Sequence, residues 1–192
     1  MIILASKSAS RKAMLDAAGV RFDARSADID ERALEQQLEG ALPGRIAVEL
    51  AKAKALAVDG GESLVLGSDS LVVAGGRRFD KPGSRDEAAR HLRFFSGREM
   101  QLHSAAAIAQ RGEIVWSCAA MASLHVRPLS ESFIEAYLDE EWPQVSYCVG
   151  VFRIEGPGVQ LFEQIEGDHF TVLGMPLLQV LAALRNLGEM PA

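Results

Sequence analysis

Asp69 is the first residue that asks for an explanation. It sits in SLVLGSDSLVV (63–73), where Val65, Leu66, Leu71, Val72 and Val73 predict a buried strand interrupted by Gly67, Ser68, Asp69 and Ser70. A lone carboxylate in apolar surroundings is costly unless it is paired or bound to a metal. Two readings stand: an acid serving a site, or a carboxylate satisfied by backbone N–H groups at a bulge. Gly67 favours the first, because a glycine inside a strand marks close approach of a backbone or a ligand. A second group lies near the start, in LASKSASRK (4–12), where Ser6, Ser8 and Ser10 precede Arg11 and Lys12. A helix begins there, and its first turn exposes unpaired N–H groups and the positive end of the macrodipole. Such a start seats a phosphate. The hydroxyls add donors, Arg11 a bidentate fork and Lys12 a point charge. The plainer alternative is that Ser8 only caps the helix and the two cations face water.

Further cations are available. Lys81 stands before Pro82, which fixes the backbone after it. Lys52 and Lys54 lie two apart in an apolar helix, so they point to different faces and at most one serves a shared site. The four histidines, His91, His103, His125 and His169, lack metal-ligand spacing. No G-x-x-x-x-G-K-[ST], G-x-G-x-x-G, H-E-x-x-H or G-x-S-x-G motif is present.

The elements that must position these residues read as follows. Residues 2–5 form a short strand, 9–18 a helix capped by Ser8 and stopped at Gly19, 28–40 a short helix and 45–58 an Ala-rich helix. A turn at Gly75-Gly76 precedes a helix over 84–95 that opens with a capping box, Ser84 and Glu87. Runs at 100–109 and 113–127 make a hairpin about Arg111-Gly112, which could belong to a second lobe. A helix over 130–141, a strand over 159–165 and a helix over 176–188 complete the chain. Helices alternate with strands around an inserted hairpin, which predicts an α/β fold with a mixed sheet. No Pro/Ser-rich linker marks a boundary, so residues 1–192 are expected to form a single domain.

The composition sets limits. The chain has 192 residues, 48% hydrophobic and 24% charged, which is ordinary for a globular protein. A net charge of −6 argues against a protein that coats nucleic acid. Cys118 and Cys148 are far apart and read as buried thiols in a reducing compartment. No run is long enough to span a membrane, and the N-terminal apolar run lacks a basic flank, so the cytoplasm is expected.

Taken in order, LASKSASRKAMLDAAG, DIDE, LAKAKA, LVLGSDSLVV, DKP, FFSG, VGVFRIEGPG and IEGDHFTVLGMPL resemble the Maf family of nucleoside triphosphate pyrophosphatases, from residue 3 to about 185. The resemblance implies a mixed twisted sheet flanked by helices, Maf/ITPase-like, with two lobes around a deep cleft; homodimers are common. It implies a hydrolase that splits nucleoside triphosphates between the α- and β-phosphates with a divalent cation, Mg²⁺ or Mn²⁺. Members are thought to clear modified nucleotides, and some are linked to arrest of cell division and septum formation. Carried over, Ser6, Ser8, Arg11 and Lys12 bind phosphate. Asp69, Glu31, Lys54 and Lys81 are catalytic, with Asp69 and Glu31 also holding the metal. The family usually has a second arginine where Lys12 stands, and a proline where Ala9 stands.

The resemblance also marks Ser10, Ser70 and Glu155 as specificity positions. Asp69-Ser70 and FRIEGPG look more like the branch acting on 7-methyl-GTP than the dTTP and UTP branch, which carries threonine and glutamine there. The physics agrees, because a guanine edge offers neighbouring N–H donors that suit a carboxylate, and 7-methylguanine is cationic. Against this, Glu155 could simply pair with Arg153 at the surface. Two other readings stay open: a dTTP/UTP-type enzyme, and a non-catalytic nucleotide-binding regulator of division. Only the enzyme needs both Asp69 and Glu31.

Overall fold

The chain opens on four apolar residues, Ile2–Ala5, all buried in strand β1. Burial on both faces marks a strand inside a parallel sheet. In the computed structural model, which describes residues 1–191, β1 pairs in parallel with β2 (Phe22–Arg25) and with β3 (Val65–Ala74). The other strands are β4 (Arg77–Phe79), β5 (Glu99–Gln110), β6 (Glu113–Val126) and β7 (Phe162–Glu166). The seven strands form one mixed sheet in the order β2-β1-β3-β5-β6-β7, with β4 antiparallel to β3 and β7 antiparallel to β6. The chain divides into two compact units. One comprises Met1–Ser70, His103–Met121 and Asp168–Ala192; the other comprises Leu71–Leu102 and Ala122–Gly167.

In the first unit the helices are α1 (Ala9–Ala17), α2 (Glu31–Gln37), α3 (Pro43–Leu56), α6 (His169–Val172) and α7 (Leu177–Asn186). Alternation along the strands assigns the two faces. Ile2, Leu4, Leu64, Leu66, Ala106 and Ile108 pack with Leu15 of α1 and with Val180 and Leu184 of α7. Ile3, Ala5, Val65 and Ala109 pack with Ala55 of α3. Gly67 continues the second set. A Cβ there would lie 2.2 Å from the Ala51 carbonyl oxygen and 2.6 Å from the Ala55 nitrogen, so the α3 backbone rests directly on β3.

In the second unit the helices are α4 (Arg85–Phe95) and α5 (Glu131–Glu141). Phe79, Phe94 and Phe95 pack edge to face or tilted, with His91 against them. Arg85 and Arg93 of α4 pair with Glu135, Asp139 and Glu131 of α5. Ser84 caps α4 through the Glu87 N–H, while the Glu87 carboxylate accepts from the Gly83 N–H at 2.8 Å, so the capping box closes one residue early.

Four expectations need correction. β3 is not interrupted: Gly67 to Ser70 remain in the ladder, because their side chains leave on alternate faces and each polar one finds a partner there. The expected strand over 159–165 begins only at Phe162. Residues Pro157–Leu161 form a 3-10 turn, since Gly158 lies so close to the Arg153 backbone that the chain is folded back there. The hairpin is not confined to one lobe, because Arg111-Gly112 and both flanking segments up to residues 103 and 121 lie in the first unit. Strands β2 and β4 were not expected, for FDAR and RRF are short and mostly polar.

Candidate active site

The segment expected to seat a phosphate follows directly on β1. Ser8 takes extended backbone angles and its Oγ accepts from the Arg11 N–H, so α1 begins at Ala9 with Ser8 as its cap. Ser6 Oγ accepts from the Ser8 N–H at 3.2 Å and, weakly, from an Arg11 terminal N–H at 3.5 Å. Ser6 Oγ and the α1 N-terminus are thereby placed side by side. Burial of the Arg11 guanidinium lowers its pKa from the ordinary value, while the charges of Asp69 and then Glu31 oppose that shift. Lys12 is half-buried and has no ion pair among the described residues.

Asp69 lies on the α3 face of β3, on the same side as Gly67. Lys54, in the last turn of α3, donates to Asp69 Oδ1 at 2.5 Å and reaches Glu31 Oε1 at 2.9 Å. One ammonium therefore joins a carboxylate whose side chain is 10% exposed to one that is 48% exposed. Glu31 opens α2, which Asp30 caps through the Ala33 N–H. Lys52 instead pairs with Glu49 at 3.1 Å, which answers the question of which lysine faces the acids. The bond from Lys54 uses Oδ1 of Asp69.

Ser68 and Ser70 leave β3 on the opposite face. The buried Ser68 hydroxyl donates to the Ala105 carbonyl at 2.8 Å. Ser70 Oγ lies 3.1 Å from Ser104 Oγ, and Ser104 donates in turn to the Thr171 carbonyl at 2.8 Å. Ser10 Oγ donates to the Leu173 carbonyl at 2.9 Å. Sequence reasoning missed Ser104 and gave neither Ser68 nor the 168–174 segment a role, because the bonds run to main-chain carbonyls, which no side-chain pattern reveals.

Lys81 and Glu155 belong to the second unit, and both are exposed. Burial pushes the Cys148 thiol up to about 11; the Glu155 charge adds to this, while Arg153 and Lys81 oppose it. Lys81 and Glu155 thus act on a common neighbour. The pair of Glu155 with Arg153 does not form among the described residues. Arg153 makes a bidentate fork with the buried Glu141, both bonds at 2.8 Å.

Among the described residues no cluster of three or more His, Cys, Asp or Glu side chains could hold a metal by itself. The donor set at Lys54 nonetheless fits a hard cation. Mg²⁺ takes one or two carboxylates and completes its shell with water and substrate phosphates, and Asp69 and Glu31 supply two carboxylates within reach of one point.

Comparison with known proteins places the chain in a family. Residues 1–187 match the model of the family described as Maf-like protein. The chain is 47% identical to a 7-methyl-GTP pyrophosphatase of Rhizobium meliloti (strain 1021), covering 100% of this chain and 98% of that protein. It is 45% identical to a nucleoside triphosphate pyrophosphatase of Rhodopseudomonas palustris (strain ATCC BAA-98 / CGA009), covering 96% and 93%. A looser likeness is the structure of a nucleoside-triphosphatase / dITP/XTP pyrophosphatase from Mycobacterium abscessus, 16% identical with a TM-score of 0.42 over 97% of this chain and 96% of that one. On a family match that runs almost end to end, the chain belongs to the Maf-like protein family.

Proposed function

We propose that this chain is a nucleoside triphosphate pyrophosphatase that hydrolyses the bond between the α- and β-phosphates, releasing a nucleoside monophosphate and pyrophosphate. The observation that carries the reading is Lys54 joined to both Asp69 and Glu31, with the charges of those acids felt at Arg11 of the α1 start. A triphosphate brings about four negative charges, and positioning with charge neutralisation supplies most of phosphoryl-transfer catalysis. Ser6, Ser8, the first N–H groups of α1, Arg11 and Lys12 hold the phosphate oxygens. Lys54 orients Asp69, whose Oδ2 accepts a proton from the attacking water. The water oxygen bonds to the α-phosphorus, the bridging P–O bond breaks, and pyrophosphate leaves with that electron pair. Lys81 is a further catalytic cation on the strength of the sequence motif. A divalent cation, Mg²⁺ or Mn²⁺, would be held by Asp69 and Glu31 and would neutralise charge on the phosphates.

For the base, we propose 7-methyl-GTP as the favoured substrate, with Glu155 accepting from the guanine N–H donors and Ser10 and Ser70 as small residues beside it. The name of the Rhizobium meliloti relative is consistent with this choice, and the Arg153–Glu141 fork leaves the Glu155 carboxylate available. The same reading makes the protein a cytoplasmic enzyme, homodimeric in the manner of its family, with no nucleic-acid or membrane partner. The net charge of −6 supports the absence of nucleic acid. No helix among the described residues is long and apolar enough to cross a membrane.

The test is pyrophosphate release from 7-methyl-GTP, GTP, dTTP and UTP with Mg²⁺ or Mn²⁺. The highest kcat/KM is expected for 7-methyl-GTP, and Glu155→Gln is expected to narrow its lead. An unchanged ranking in that variant removes Glu155 from base reading. Retained binding with no turnover on any nucleotide would leave a nucleotide-binding regulator instead.

A further inference from the structure

Donors from three elements converge on one stretch of main chain. Ser10 of α1 donates to the Leu173 carbonyl, Ser104 of β5 to that of Thr171, and Arg11 of α1 sends its Nε–H to the Gly174 carbonyl at 3.0 Å. Ser68 and Ser70 of β3 approach the same Gly174 oxygen at 3.3 Å. Ser68 has a shorter bond to Ala105, and Ser70 has one to Ser104, so Arg11 is the principal donor to Gly174. We propose that Gly174 is a positioning residue for Arg11: its carbonyl fixes the guanidinium through Nε and turns the terminal N–H edge toward Ser6 and the phosphate seat. The inference rests on the phosphate-binding role proposed for Arg11.

The carbonyl is itself held in place. Asp168 caps α6 through the Thr171 N–H and receives the Thr171 hydroxyl. The Gly174 N–H then returns to the Thr171 carbonyl, and the fully buried Met175 donates to Phe170. Gly174 has φ of +101°, and a Cβ there would lie 3.1 Å from Ser70 Oγ. Both facts exclude larger residues from the position without strain. An arginine with one N–H tied to a fixed carbonyl retains fewer orientations than a free one, so less freedom is lost when a phosphate binds.

The experiment is a double-mutant cycle on kcat/KM with Gly174→Ala, Arg11→Lys and the pair. Lysine has no Nε–H for the carbonyl to hold. Gly174→Ala is expected to lose at least about tenfold in the wild-type background and less than about threefold in the Arg11→Lys background. Equal losses in both backgrounds would mean a structural role only and would overturn the proposal. A second readout needs neither a variant nor turnover: the Arg11 ¹⁵Nε–H resonance of the full chain. Its hydrogen exchange is expected to be at least about tenfold slower than that of the exposed Arg21, and equally fast exchange overturns the proposal. If no triphosphate is turned over, the pyrophosphatase reading fails while the resonance still decides whether Gly174 holds Arg11.

Discussion

Lys54 carries the account at the scale of single residues. Removing charges from water is costly, and a buried ion pair is a poor device for stability alone. The pair it makes with Asp69 therefore suits the role proposed for that carboxylate. Asp69→Asn is expected to fold, with kcat lower by about 10²- to 10⁴-fold, as read by pyrophosphate release and a thermal melt. Lys54→Met leaves the buried acid without its partner and should cost about 3–5 kcal/mol in urea unfolding. A variant as stable as the wild type would mean that Asp69 has another partner. Asp69 was legible because a carboxylate contradicts its apolar neighbours, and the choice between Lys52 and Lys54 was narrowed by helical spacing. Ser68 and Ser104 were not legible, since a serine inside a strand looks alike whether it bonds to its own sheet or to a segment far along the chain.

At the scale of elements, β3 divides its labour by alternation. Gly67 and Asp69 face α3, whereas Ser68 and Ser70 face the segment that ends at Gly174. The position of Lys54 depends on α3 lying against Gly67. Gly67→Ala must push that helix away, because its methyl group would meet backbone rather than a yielding side chain. The expected cost is about 1–3 kcal/mol, with activity falling beyond what the unfolded fraction explains, measured by denaturation and kcat on the same sample. Full activity with unchanged stability would refute the close packing. Helices with clear caps, such as α1 at Ser8 and α5 at Ser130, could be read from the sequence. The continuity of β3 could not, because a polar cluster resembles a break until both faces of the sheet have partners.

Across the whole molecule, the balance of charges sets the response to acid. His103 of the first unit and His91 of the second each have a buried ring nitrogen without a hydrogen bond, Nε2 and Nδ1 respectively. Desolvation is the leading cause holding both pKa values below the ordinary histidine value. The unfolded chain then takes up protons before the folded chain does. Stability from these two groups is complete above about pH 6.5 and is lost as the pH falls below it. Replacing both with leucine is expected to flatten the unfolding free energy between about pH 7 and 5, as followed by urea titrations. An unaltered slope would assign the acid response to other groups. The α/β class was legible from the alternation of helices and strands. Two lobes were expected from the family resemblance alone; their boundaries were not legible, because three of the four fall inside β3, β5 and β6, where no linker composition marks them.

The most direct test of the central claim is hydrolysis of 7-methyl-GTP in ¹⁸O-water followed by mass spectrometry of both products. Attack at the α-phosphorus predicts that one ¹⁸O atom enters the nucleoside monophosphate and that the pyrophosphate remains unlabelled. Label in the pyrophosphate, or release of orthophosphate in its place, would contradict the account.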